Sequence, residues 1–100
     1  MLVIGAGKIG MAIQHDLIKN GIEARICDVE EKDLPNFFFL DARDTQALIN
    51  EMKKEDVVIS ALPYDFNYKL AKIAIKTKTN FIDLGGNSRI VEKELKLQFG

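Results

Sequence analysis

The sequence predicts an α/β fold, a doubly wound parallel sheet with helices on both faces. Three observations predict it. Short apolar runs recur along the chain, separated by segments of helical periodicity. The first run, Leu2-Val3-Ile4, leads straight into Gly5-Ala6-Gly7-Lys8-Ile9-Gly10 and then into a helical pattern. An acidic residue, Asp28, closes the second strand 18 positions past Gly10. Strand, Gly-x-Gly-x-x-Gly, helix and distal carboxylate together form the fingerprint of a dinucleotide-binding turn.

Each glycine of that turn has its own task. Gly5 permits the sharp turn off the strand, Gly7 leaves room for a pyrophosphate, and Gly10 lets the helix lie close to the strand. The start of the helix offers unpaired N–H groups and a partial positive charge, which suit a phosphate. Ala6, Lys8 and Ile9 complete the segment as candidate cofactor contacts.

Composition narrows the function classes. One hundred residues, 47% of them hydrophobic, make one domain with a real core. Fourteen basic against 15 acidic side chains leave a net charge of −1 and argue against a nucleic-acid surface. No apolar run approaches the roughly 20 residues that span a bilayer. The chain opens directly in a strand without a charged leader, so no signal peptide is expected. The single Cys27 excludes an internal disulfide and fits a reducing, cytoplasmic setting. One histidine and no Cys/His cluster give no metal site.

Ile9, Ala12, Ile13 and Leu17 define the expected buried face of the first helix, with Asn20-Gly21 as its stop. His15 falls on the wet face and reads as a solvated side chain. Met11 and Ile18 point outward, as scattered apolar residues or as cover for a neighbouring subunit or domain, which keeps a homodimer among the partners considered. Ile22-Glu23-Ala24-Arg25-Ile26-Cys27 alternates as the second strand, Cys27 reading as a small buried side chain. Asp28 then stands where it accepts both hydroxyls of an adenosine ribose and repels a 2′-phosphate, so NAD is expected over NADP.

A polar connection leads to Phe37-Phe38-Phe39-Leu40, expected as a third strand buried on both faces. In this fold its end lies near the adenine, which makes Asp41 and Ala42 candidates. Asp44 reads as the cap of a helix over residues 45–54, with Leu48, Ile49 and Met52 inward. Asp56-Val57-Val58-Ile59-Ser60 is the fourth strand. The small residues of Ser60-Ala61-Leu62-Pro63 allow a cofactor to lie across its end, and Pro63 keeps the loop extended. Asp65 or Asn67 starts the next helix, whose buried stripe is Phe66, Leu70, Ile73 and Ala74. Lys69, Lys72 and Lys76 form its solvated face. Tyr64 and Tyr68 are candidate acid or substrate contacts, although Tyr68 lies off the apolar stripe and fits a surface role. Asn80-Phe81-Ile82-Asp83-Leu84 is the fifth strand, followed by Gly85-Gly86-Asn87 and a final helical stretch over residues 89–99 capped by Ser88. The expected strand order is 3-2-1-4-5, of the Rossmann type, with the ligand at the switch point between strands one and four.

Val58-Ile59-Ser60-Ala61-Leu62-Pro63-Tyr64, then a helix carrying Leu70-Ala71 and Ala74-Ile75, then Phe81-Ile82-Asp83-Leu84-Gly85-Gly86-Asn87 resembles the saccharopine dehydrogenase family. The branch containing lysine 6-dehydrogenase is the most similar. The resemblance covers nearly the whole chain. It implies that Ser60, Ala61, Leu62 and Pro63, with Asp83, Gly85 and Gly86, flank the nicotinamide half of the cofactor. It further implies NAD-linked oxidation of a carbon–nitrogen bond in a lysine-type amino acid, held by a second domain that the 100 residues do not include. No nucleophile–base pair can be named within them, so no turnover is expected from them alone.

Two other classes share part of this pattern. A non-catalytic nucleotide sensor needs the first strand, the glycines and the acidic residue, but has no need of the two later segments. A methyltransferase also places a carboxylate on a ribose, yet does not need three glycines around a pyrophosphate.

Overall fold

The computed structural model describes residues 1–83. Five parallel strands form one sheet in the order β3-β2-β1-β4-β5. They are β1 (Leu2–Ile4), β2 (Arg25–Asp28), β3 (Phe37–Phe39), β4 (Val57–Ser60) and β5 (Asn80–Asp83), with α1 (Lys8–Lys19), α2 (Thr45–Met52) and α3 (Tyr64–Thr77) between them. The expected doubly wound order is therefore the observed one. The readings placed on Leu84, Gly85, Gly86, Asn87, Ser88 and the helix at 89–99 lie outside the described residues.

Two apolar layers show why the sheet needs cover on both sides. Val3, Ala6 and Ile26 turn to one face, where Ile13, Leu17, Leu34 and Phe37 meet them. Leu2, Ile4, Cys27 and Val58 turn to the other, onto Leu48 and Met52 of α2 and Leu70, Ala71 and Ala74 of α3. Alternate residues of β1 thus serve opposite layers, the period-two consequence of the pleat.

Four expectations change in detail. The sheet-facing side of α1 is Gly10, Ile13, Gln14 and Leu17; Ile9 is 56% exposed and Ala12 is exposed as well. Gly10, lacking a Cβ, sets the rotation of the helix, and the rest of the face follows at intervals of three and four. The second strand is shorter than its alternation suggested, because Ile22 belongs to the helix stop. There Gly21 sits at φ +79°, Gly21 N–H donates to Ile18 O at 3.0 Å and Ile22 N–H to Leu17 O at 2.9 Å. Those two bonds are the Schellman pattern. The third strand is an edge strand rather than one buried on both faces. Phe39 is 68% exposed, since α1 packs on β1 and β2 and leaves the outer tip of β3 bare. Finally, α3 begins at Tyr64, earlier than either expected start, on an N-cap at Pro63 with ψ 151°.

The N-terminal edge of the sheet is closed by charge. Arg25 donates from Nε to Glu55 and from Nη1 to Glu51, each at 2.7 Å, and lies 4.7 Å from the Phe38 ring centroid. Burial works against the Arg25 charge, but the hydrogen bonds to both carboxylates outweigh it and raise its pKa. Among the described residues no helix is long and apolar enough to cross a membrane.

Candidate functional site

The candidate cofactor residues gather along the C-terminal edge of the sheet. Register places Cys27, Ile4, Ser60 and Asp83 side by side on β2, β1, β4 and β5. The next step along the chains reaches Asp28, Gly5 and Ala61. Gly5 N–H donates to Cys27 O at 2.9 Å and Ala61 N–H to Ile4 O at 2.8 Å, so the three strand ends leave the sheet together. This is the crevice at the topological switch point where α/β sheets bind ligands.

The three glycines differ in a way that separates folding from binding. Gly5 lies at φ +104°, and a Cβ there would come 3.0 Å from the Ala61 carbonyl carbon. A Cβ on Gly10 would stand 1.8 Å from Gly5 O, inside the backbone of the turn. A Cβ on Gly7 would meet nothing within 4 Å. The first two glycines are required by the chain's own packing; the third leaves open space at the start of α1. That helix has Gly7 as N-cap, no side-chain cap and no acidic residue in its first turn. Helix α2, by contrast, is capped by Asp44, whose carboxylate accepts from Ala47 N–H at 3.1 Å. The start of α1 is thus a backbone donor site with room for a diphosphate.

Asp28 has a task beyond the one expected of it. One carboxylate oxygen accepts from Ala6 N–H at 2.7 Å and the other from Glu30 N–H at 3.1 Å. The carboxylate therefore fixes the glycine turn. A carboxylate has about four lone-pair sites, so two remain for a ribose diol.

Beside Asp28 opens a cleft of about 430 Å³, also lined by Val29, Phe39, Leu40, Asp41, Ala42, Arg43, Leu62 and Phe66. The structure brings Asp28, Asp41 and Ala42 together here, as a site for adenine would need. Leu62 joins them in the lining of this cleft, packed with Phe66 against the core that includes Leu40 and Ala42. Asp41 is engaged by Arg43, whose Nη2 and Nε donate to it at 2.8 and 3.0 Å. These bonds, more than any nearby charge, hold the Asp41 pKa at about 2. Lys69, expected on a purely wet face, turns back to donate to Ala42 O at 3.2 Å and so holds the cleft floor.

On the far side, Ser60 is fully buried and its hydroxyl is committed to the protein, donating to Asn67 Oδ1. Asn67 donates in turn to Asp83 at 2.6 Å. Pro63, Lys8 and Ile9 are exposed. Gly85 and Gly86 lie outside the described residues. Cys27 is buried, and burial pushes its thiol up to about 12, which removes it as a nucleophile. His15 is on the surface of α1. Among the described residues no acidic, histidine and cysteine side chains cluster as a metal site.

Sequence reasoning missed Asn67 and Gln14 as buried polar residues. Both carried a signal. Asn67 falls on the stripe of Leu70, Ala71 and Ala74 at intervals of three, four and seven. Gln14 stands four past Gly10, and its amide donates to Ala24 O at 3.2 Å and Pro35 O at 2.6 Å, pinning the loop after Asp28.

Parallel strands in this order, an uncapped glycine-led helix at the switch point and a carboxylate on the adjoining strand define a nucleotide-binding α/β domain. Residues 1–98 match the family model described as "Saccharopine dehydrogenase NADP binding domain", and the chain belongs to that family of oxidoreductases. A solved structure, apo saccharopine dehydrogenase (L-Glu forming) from Saccharomyces cerevisiae, is similar with a TM-score of 0.75 and 26% identity. The match covers 92% of this chain and 23% of that one, so the chain spans less than a quarter of its relative.

Proposed function

We propose that this chain is the part of an amino-acid dehydrogenase that holds and orients NAD, for oxidation at a carbon–nitrogen bond of a lysine-type substrate bound elsewhere in the enzyme. The observation that carries this reading is the open space at Gly7 beside the uncapped start of α1. Main-chain N–H groups there take the diphosphate, with Gly5 and Gly10 keeping the turn tight. Asp28 receives the adenosine ribose, Asp41 and Ala42 border the adenine, and Ser60, Ala61 and Asp83 stand towards the nicotinamide. The nicotinamide itself supplies the hydride-accepting carbon. The protein's share is to position it and to keep the diphosphate charge compensated.

The preference for NAD is supported by charge. Asp28 is followed by Glu30, Glu31 and Asp33, and a 2′-phosphate would meet that acidic loop. NADP is the second reading, favoured by the family model's description and by Arg43. Arg43 lines the cleft, and a phosphate could draw it from Asp41. Titration calorimetry with NADH and NADPH decides between them. NADH is expected to bind more tightly by about tenfold or more. Tighter NADPH binding would transfer the selecting role from Asp28 to Arg43, and no binding of either would remove the dinucleotide reading.

A further inference from the structure

The proposed dinucleotide site has a buried brace on its nicotinamide side, built around Asn67. The Asn67 side chain is fully buried on the first turns of α3. Its Oδ1 accepts from the Ser60 hydroxyl, and its Nδ2 donates to Asp83 Oδ1 at 2.6 Å. Ser60 Oγ also accepts from Leu62 N–H at 3.3 Å. The order of donors is dictated by chemistry. An ionised carboxylate only accepts, so the group facing Asp83 must donate; the same group must accept from Ser60. A carboxamide does both at this spacing, whereas an aspartate would set two carboxylates against each other. Ser60 and Asp83 are register partners at the ends of β4 and β5. The one side chain of Asn67 thus ties two strand ends, the loop after β4 and the start of α3 into a single unit. Leu62, which also lines the adenosine cleft, meets the brace through its N–H, but none of these bonds reaches the charged residues there, Asp28, Asp41 and Arg43.

We infer that Asn67 is a positioning residue for the nicotinamide half of the cofactor. It holds the Ser60-Ala61 strand end and the Asp83 carboxylate in the arrangement that half meets, and it makes no bond to Asp28, Asp41 or Arg43 on the adenosine side. The inference rests on the dinucleotide reading above. It requires that the two halves of the ligand respond differently when the brace is cut.

The test compares two ligands by calorimetry, ADP and NADH. ADP carries the adenosine and both phosphates but no nicotinamide. Asn67→Ala should weaken NADH by about tenfold, the order expected when one hydrogen bond to a charged group is lost, and leave ADP within about twofold. Ser60→Ala removes only the hydroxyl and should move NADH in the same direction by less, which keeps the test available if Asn67→Ala does not fold. Circular dichroism of each variant establishes that it is folded. Equal weakening of ADP and NADH in a folded variant would make Asn67 an ordinary core residue and overturn the inference, as would unchanged NADH binding. If the wild-type chain binds neither ligand, the dinucleotide reading fails first, and that result cannot be confused with the others.

Discussion

At the scale of single residues, three glycines at one turn answer to three different forces. Gly10 is fixed by contact, since its Cβ would overlap Gly5 O at 1.8 Å. Gly5 is fixed by a left-handed φ of +104° as well as by the Ala61 carbonyl. Gly7 has an ordinary φ of −77° and empty space where its side chain would be, so the fold does not require it. Gly7→Val should therefore cost no more than the roughly 1 kcal/mol of a poorer N-cap and weaken NADH binding by about tenfold or more, because the added methyls occupy the approach proposed for the diphosphate. Gly10→Ala should do the reverse and act on stability. Its cost should reach the top of the roughly 1–3 kcal/mol that overpacking brings, or exceed it. Thermal melts and calorimetry on the two variants check both statements. If Gly7→Val binds NADH normally, the diphosphate does not lie at this turn.

At the scale of elements, each helix begins according to what lies at its first turn. Asp44 caps α2 through Ala47 N–H, and Asp44→Ala should cost about 1 kcal/mol. For a domain of this size that lowers the midpoint by roughly 4–8 °C. Cofactor affinity should not change, since Asp44 does not border the cleft; a melt unchanged by the substitution would show that the cap contributes nothing. This cap was legible in the sequence, as were the apolar runs of the five strands, their order and the stop at Gly21. What could not be read came from neighbours distant along the chain. The bare tip of β3 depends on how far α1 reaches, and Phe37, Phe38 and Phe39 look alike in sequence. The turn of α1 about its axis is set by Gly10 against Gly5, so Ile9 and Ala12 face out although helical periodicity alone turns them inward. At the site, the glycines and the strand-end residues were legible because their types and spacing are local. The second bond of Asp28 to Ala6, the return of Lys69 to Ala42 and the bridge through Asn67 are contacts 22, 27 and 16 residues apart, and no local pattern announces them.

At the scale of the whole molecule, the sheet divides its labour between its two edges. The C-terminal edge keeps donors and space for a ligand, while the N-terminal edge is closed by Arg25, Glu51 and Glu55. Glu51 accepts from Arg25 Nη1 at 2.7 Å and from Lys54 at 2.9 Å, and those bonds, that of Arg25 foremost, hold its pKa below 4.5. A carboxyl whose pKa is lower in the folded than in the unfolded chain stabilises the fold above its unfolded value. That contribution is lost as the pH falls through the folded value. Stability should therefore be level near neutrality and decline once the pH drops below about 4.5, the ordinary value for this carboxyl. Glu51→Gln should be less stable than the wild type at pH 7, because the Arg25 guanidinium loses one of its two anionic partners. The gap should then close on acidification, since protonation gives the wild type the same neutral side chain. The pair is partly exposed and so screened by solvent, and added salt should narrow the gap at pH 7 as well. Melts of both proteins between neutral pH and the acid limb check this. A gap that stays constant across that range would mean that Glu51 holds β2 to α2 by shape, and that the charge at this edge does not contribute to the fold.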